Sequence, residues 1–343
     1  MSPDLDAVPA ELLALSATQH GLFTTRQAAR SGVGRAGLRS LLDRSHIARA
    51  CRGAYVVGGR LPERAIERHL LLARAGLLLY PDAGLVGVSR LAEAGIQIWG
   101  ATLDRALLCR PVTSEVLTNS FRVRPPSMQI GRGAHAQSLA GALVQLALDN
   151  GMSAGVVSAD HALHEGRVTR SELERCVREV RGWPRSSRAM AMLDFVDGRS
   201  ESPGESRLRI VAATVGLDLI PQVEIRDDLG RLVARADFRV RGTKVLLEFD
   251  GMVKYREGGP AALVAEKKRE ESLRRLGWRL VRVTWPDLEA PTWLIGTLRE
   301  LVEVQRYADA RREGRVPGAA QPASPQLRSV TRHANPGNAA DIG

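Results

Sequence analysis

The stretch Arg231–Tyr255, RLVARADFRVRGTKVLLEFDGMVKY, decides how the second half of the chain folds. From Ala234 to Val240 small or apolar residues alternate with charged ones, and Val245 to Phe249 is an aliphatic run. Both segments therefore read as strands. Gly242-Thr243 suits a two-residue type II′ hairpin turn with glycine in the first central place. Pairing Arg241 with Lys244 then sets Val240 against Val245 and Asp237 against Glu248. Because side chains alternate along a strand, Asp237, Glu248 and Asp250 share one side of the sheet.

Like charges facing each other in a hairpin are destabilising, so something positive is expected between them. Oxygen ligands alone suit a hard divalent cation, and Mg²⁺ is the expected cofactor, with Asp237, Glu248 and Asp250 as its ligands. The competing reading is that arginines neutralise the acids on a solvated sheet: Arg235 falls opposite Asp250, and Arg239 shares the face. Lysine usage adds a second hint. Of the 49 basic residues only Lys244, Lys254, Lys267 and Lys268 are lysines, all within or just beyond the hairpin. There a compact, pKa-adjustable ammonium differs chemically from a guanidinium.

At 343 residues and 44% hydrophobic, the chain is long enough for two or three domains with buried cores. A net charge of +11 points to a polyanionic partner, nucleic acid first and an anionic membrane surface second. The sequence has no apolar run long enough to span a bilayer, and its acidic start lacks the marks of a signal peptide, so a cytoplasmic protein without a membrane partner is expected. Cys51, Cys109 and Cys176 are scattered without metal-ligand spacing and read as small core residues.

Residues 8–57 read as helix, helix, turn, helix and short hairpin, in a first domain set at 1–60. Pro9–His20 is amphipathic, Thr24 or Thr25 can cap RQAARSG, and Gly32-Val33-Gly34 makes the turn. In the next helix, Arg35 to Arg44, Leu38 and Leu41 face inward, and two short strands then bracket Arg52-Gly53. That order is a winged helix-turn-helix. Arg35, Arg39, Arg49 and Arg52 are the expected contacts to DNA phosphates or bases. The segment resembles the N-terminal domain of AbiEi-type antitoxins, which implies a winged-helix repressor with DNA as partner and a cognate toxin or a second copy of the chain beside it.

Residues 61–200 read as a mostly helical middle domain. Helical patterns are expected over Leu61–Leu79, Leu85–Trp99, Ser138–Asn150, Met152–Gly166 and Ser171–Gly182, with strands within Leu107–Arg124. This region resembles the linker domain of AbiEi-like proteins, which implies no catalytic residue. The Gly198–Gly204 stretch marks a boundary, and Ser202-Pro203-Gly204-Glu205 reads as a capping box, so Glu205 has a structural reading beside any functional one. Strands follow at Leu219–Arg226 and in the hairpin, then a helix from Ala261 to Leu276 and a strand from Trp278 to Thr284. The fold class expected is α/β, of the α+β kind: winged helix, helical middle domain, and a restriction-endonuclease-like αβββαβ core over residues 201–305. From about Arg311 the composition is that of a disordered tail, with the tail segment as a whole set at 306–343.

ESPGESRLR, RADFRV, LEFDGMVKY and EKKREESLRRLGWRLVRVTW together resemble relatives of the very-short-patch-repair endonucleases, of the PD-(D/E)XK superfamily. The resemblance covers about residues 200–288 and implies Mg²⁺ on Asp237 and Glu248, helped by Glu205. Asp250 stands where that superfamily has lysine, so Lys254, then Lys267, are the candidates to supply the ammonium. A helical wheel places Arg269 on the inward stripe of its helix, Glu266 at the edge and Lys267 nearly opposite. Two functions follow: a Mg²⁺-dependent DNA endonuclease targeted by the winged helix, or a non-catalytic repressor or antitoxin on a nuclease-like platform.

Overall fold

The structure, a computed structural model, describes residues 7–131, 137–251 and 259–312, the side chains of 259–263 and 312 excepted. The chain divides into two compact units, one ending at Asp194 and the other starting at Phe195. Helix and sheet are mixed throughout, as expected.

The first unit opens with α1 (Ala10–Ala17), β1 (Leu22–Thr24), α2 (Thr25–Arg30) and α3 (Arg35–Asp43), followed by β2 (Ile47–Cys51) and β3 (Ala54–Val57). Thr24 is the cap of α2: its hydroxyl accepts the Gln27 N–H, and the Gln27 side chain accepts the Thr24 N–H. The sequence order of helices and hairpin is met, with β1 as an added strand that pairs antiparallel to β3 and gives the order β1-β3-β2. One face of this sheet closes a core of Leu12, Phe23, Ala28, Val33, Leu38, Leu41, Ile47 and Tyr55. Leu22, Cys51, Ala54 and Val56 instead join Leu71, Ala73 and Ala75 of α4 (Ala65–Leu79).

Next come β4 (Gly84–Leu85), α5 (Gly87–Glu93), β5 (Ala106–Cys109), β6 (Val116–Leu117) and β7 (Phe121–Arg124), with sheet order β4-β5-β7-β6. The expected helix over Leu85–Trp99 is thus only the short α5, because Leu85 belongs to a strand and Gly95, at φ +72°, stops the helix. Helices α6 (Leu139–Asn150), α7 (Met152–His164) and α8 (Arg170–Glu179) agree with the sequence, and α9 (Ser186–Phe195) is additional. Arg124, 3% exposed, pairs with Asp149 and Glu115. The guanidinium bonds of Arg122 and Arg124 hold the Glu115 carboxyl down at about 2.

The second unit runs α10 (Pro203–Thr214), β8 (Leu219–Arg226), β9 (Leu232–Val240), β10 (Val245–Phe249), α11 (Gly259–Arg275), β11 (Arg279–Val283), α12 (Trp285–Glu289) and α13 (Thr292–Arg312). This is the expected αβββαβ order, followed by a long helix that the sequence reading missed. The sheet order is β11-β10-β9-β8, with β10 and β11 parallel and the other pairs antiparallel. Leu208, Phe238, Val240, Val245, Leu247 and Val283 pack with Leu294, Leu298 and Leu301 of α13. Leu246 packs in a second cluster with Leu273 of α11. The tail expected to be disordered from 306 is helical as far as Arg312, where it completes α13; the rest of it and Lys254 lie outside the described residues.

Candidate functional site

The hairpin register is the one the sequence specifies, and its turn is not. Leu246 pairs with Arg239 and Leu247 with Phe238, an offset that sets Asp237 level with Glu248. The reverse turn, however, spans Val240–Thr243: the Thr243 N–H donates to the Val240 carbonyl, and Gly242 sits third at φ +80°. A positive φ in that place is the type II pattern, one residue earlier than a II′ turn on Gly242-Thr243. Thr243 is buried because its hydroxyl also binds the loop, donating to Val240 O and accepting from Val245 N.

Beyond Phe238–Leu247 the two strands part. The Phe249 N–H donates to Asp237 Oδ2 at 2.8 Å instead of to a β9 carbonyl. Asp237 thereby satisfies a donor that the splayed sheet would leave orphaned. Its neighbour Glu248 is clasped by Arg269 of α11 through two parallel bonds, Nη1 to Oε1 at 2.8 Å and Nη2 to Oε2 at 2.7 Å. The same guanidinium binds both oxygens of Glu266, at 3.0 and 2.8 Å. Arg282 of β11, beside Glu248 in register, pairs with Glu266 and lies 3.4 Å from Glu270. These charge-assisted bonds raise the basicity of Arg269, those to Glu248 most.

A hard divalent ion needs several carboxylate oxygens converging with lone pairs to spare. Both Glu248 oxygens face a guanidinium, and Asp237 Oδ2 faces a backbone N–H. Among the described residues no three His, Cys, Asp or Glu side chains are gathered to hold a metal ion. In this arrangement the Glu248 carboxylate is taken up by Arg269 and is not open to a cation. The positive charge that meets Glu248 is that of Arg269. The arginines weighed from sequence are not the ones that supply it: Arg235 pairs with Glu201, and Arg239 donates to the Thr243 carbonyl beneath Trp278. Asp250 anchors β10 to β11 through its backbone N–H on Val283 O at 2.8 Å. Lys267 is exposed on α11.

Glu205 is 6% exposed, and burial pushes its carboxyl above the usual range. Ser202 Oγ accepts the Glu205 N–H, as a cap should. The reciprocal bond departs from the capping box: the carboxylate takes the Glu201 N–H, the Ser202 hydroxyl and the Gln222 amide, at 3.0, 2.9 and 2.9 Å. Gln222 holds a left-handed φ of +53° within β8, a strained conformation for a side-chain-bearing residue. Gly204 precedes Glu205 because only hydrogen fits there: a Cβ would lie 2.1 Å from the Phe249 ring. Phe249 in turn meets Trp285 edge-on, with centroids 4.9 Å apart.

At the other end of the chain the arrangement is open. Residues 7–60 carry eight arginines against two acids, Glu11 and Asp43. Leu38 and Leu41 bury one side of α3 and leave Arg35 and Arg39 exposed on the other. The hairpin β2–β3 turns tightly at Arg52-Gly53, where Gly53 takes φ +90°, and Arg49 and Arg52 are exposed on it. The Gly53 carbonyl accepts the Thr25 N–H at 2.9 Å, tying the hairpin tip to the start of α2. Arg49 lies over the Tyr55 ring at 5.9 Å. Helix and hairpin thus present four guanidinium groups, the kind of cationic surface that meets a phosphate backbone.

Residues 10–58 match a family described as transcriptional regulator, AbiEi antitoxin. The AbiEi-like segment covers the winged helix and stops one residue past β3. The chain is also similar to uncharacterized proteins from two strains of Mycobacterium tuberculosis, each 29% identical over 187 residues. That match spans 54% of this chain and 67% of each relative. All four arginines expected at a DNA surface fall within the AbiEi-like segment, on its exposed side. Among the described residues no helix is long and apolar enough to cross a membrane. In the second unit the residue missed was Arg269. Its inward place on α11 was legible, and its bidentate hold on Glu248 was not.

Proposed function

We propose that the protein is a DNA-binding transcriptional regulator of the AbiEi antitoxin kind, gripping DNA with α3 and the β2–β3 wing. The observation that carries this is the exposure of Arg35, Arg39, Arg49 and Arg52 on a winged helix whose residues 10–58 match that family. Arg35 and Arg39 enter the major groove on the face of α3 opposite Leu38, and Arg49 and Arg52 lie along the phosphates. A cognate toxin is the protein partner this reading expects. The second unit has an αβββαβ order of elements in which Arg269 holds Glu248. The Glu248–Arg269 clasp favours this reading over phosphodiester cleavage.

Selection of genomic fragments on the full chain tests it. Fragments recovered intact in Mg²⁺, sharing a sequence and including the protein's own promoter, are expected. Recovery of random fragments, or of fragments cut in Mg²⁺ by wild type and left intact by Asp237→Ala, would overturn the proposal.

A further inference from the structure

An open cavity of ≈ 480 Å³ lies between the sheet of the winged helix and α4. That volume falls in the range of roughly 300–1,000 Å³ that small organic ligands occupy. Val56 of β3, Leu61 and Leu70 give it apolar walls, and Arg60 and Arg74 line it with positive charge. Leu61 is 42% exposed, a large apolar side chain left partly open to solvent. Arg74 Nε is buried without a hydrogen-bond partner. A guanidinium that lines an apolar cavity calls for an anionic partner. Glu67, which also lines the cavity, is 3.8 Å from Arg64 on the neighbouring turn.

We propose that this cavity binds a small organic anion, with an acidic head on Arg74 and Arg60 and an apolar body against Val56, Leu61 and Leu70. The acidic head is a carboxylate or a phosphate monoester. Both satisfy a guanidinium through two oxygens, and the two are told apart by the probes below. The site is separate from the arginines of α3 and the wing, so its ligand binding does not depend on DNA binding.

The test is calorimetry and thermal denaturation of the full chain with hexanoate, hexyl phosphate, hexan-1-ol and inorganic phosphate. Saturable binding of hexanoate or hexyl phosphate, tighter than that of hexan-1-ol and inorganic phosphate, is expected, and the tighter of the two names the head group. Arg74→Met should weaken that binding by about tenfold or more, the equivalent of one charged hydrogen bond. Arg60→Met, on an exposed residue, should weaken it without disturbing the fold and carries the test if Arg74→Met does not fold. Absence of saturable binding by either six-carbon anion, equal binding by hexan-1-ol or inorganic phosphate, or affinity unchanged by Arg60→Met and Arg74→Met would overturn the proposal.

Discussion

Replacing Arg269 by methionine keeps the aliphatic stem and removes the charge that faces Glu248. In the native protein Arg269 makes four bonds to carboxylate oxygens, two on Glu248 and two on Glu266. Glu266 keeps Arg282, whereas Glu248, whose side chain is only 14% exposed, keeps nothing of comparable strength on those two oxygens. Removing one partner of a buried ion pair costs about 3–5 kcal/mol, because the other charge stays buried. Arg269 is itself 24% exposed, and water reaching its end of the pair places the expected loss near the lower limit, about 3 kcal/mol. With two units in one chain, a single melting transition does not isolate this term. Hydrogen exchange of the β10 and β11 amides in increasing urea does. Arg269→Met should lower their opening free energy by about 3 kcal/mol and leave α6 and α7 unchanged. The companion Glu248→Gln, combined with it, should show strong coupling, since either change alone already breaks the pair. A loss below about 1 kcal/mol, or additive effects, would refute the claim that this guanidinium balances Glu248.

Gly204→Ala should destabilise the second unit by about 1–3 kcal/mol, measured by urea denaturation, because its Cβ would meet the Phe249 ring at 2.1 Å. Glu115 titrates at about 2 in the folded protein, below its unfolded value, so it contributes stability above the ordinary carboxylate range that is lost as pH falls toward 2. Thermal scans of Glu115→Gln should therefore show a weaker acid dependence of the first unit than wild type. Glu205 has the opposite sign: its raised pKa means stability is lost as pH rises above the ordinary glutamate range. In Glu205→Gln that decline should be absent from the pH profile of the second unit, and a decline as steep as in wild type would contradict the burial argument.

The winged helix was legible because its signals are local. Leucines at Leu38 and Leu41 on one side and arginines at Arg35 and Arg39 on the other fix which face of α3 is solvated. Alternation and an aliphatic run likewise located β9 and β10, and the register survived a turn of another type, because burying Val240, Val245 and Leu247 together forbids a one-residue slip. The helix α13 was missed although Leu294, Leu298 and Leu301 recur at helical spacing and Val302 follows Leu298 by four. The partner of Glu248 was not legible for a different reason. Sequence placed Asp237, Glu248 and Asp250 on one side of the sheet, and Arg269 on the inward stripe of its helix. Which cation reaches Glu248 depends on how α11 lies across the sheet, and no local pattern encodes that.

The central claim is that exposed guanidinium groups on α3 and the wing hold DNA. It is tested most directly by the salt dependence of affinity for the selected DNA, comparing the full chain with the variant R35A/R39A/R49A/R52A. Each arginine on a phosphate contributes roughly 0.9 to the slope of log affinity against log salt. The account predicts a slope shallower by up to about four in the variant and a large loss of affinity at low salt. An unchanged slope and affinity would contradict it.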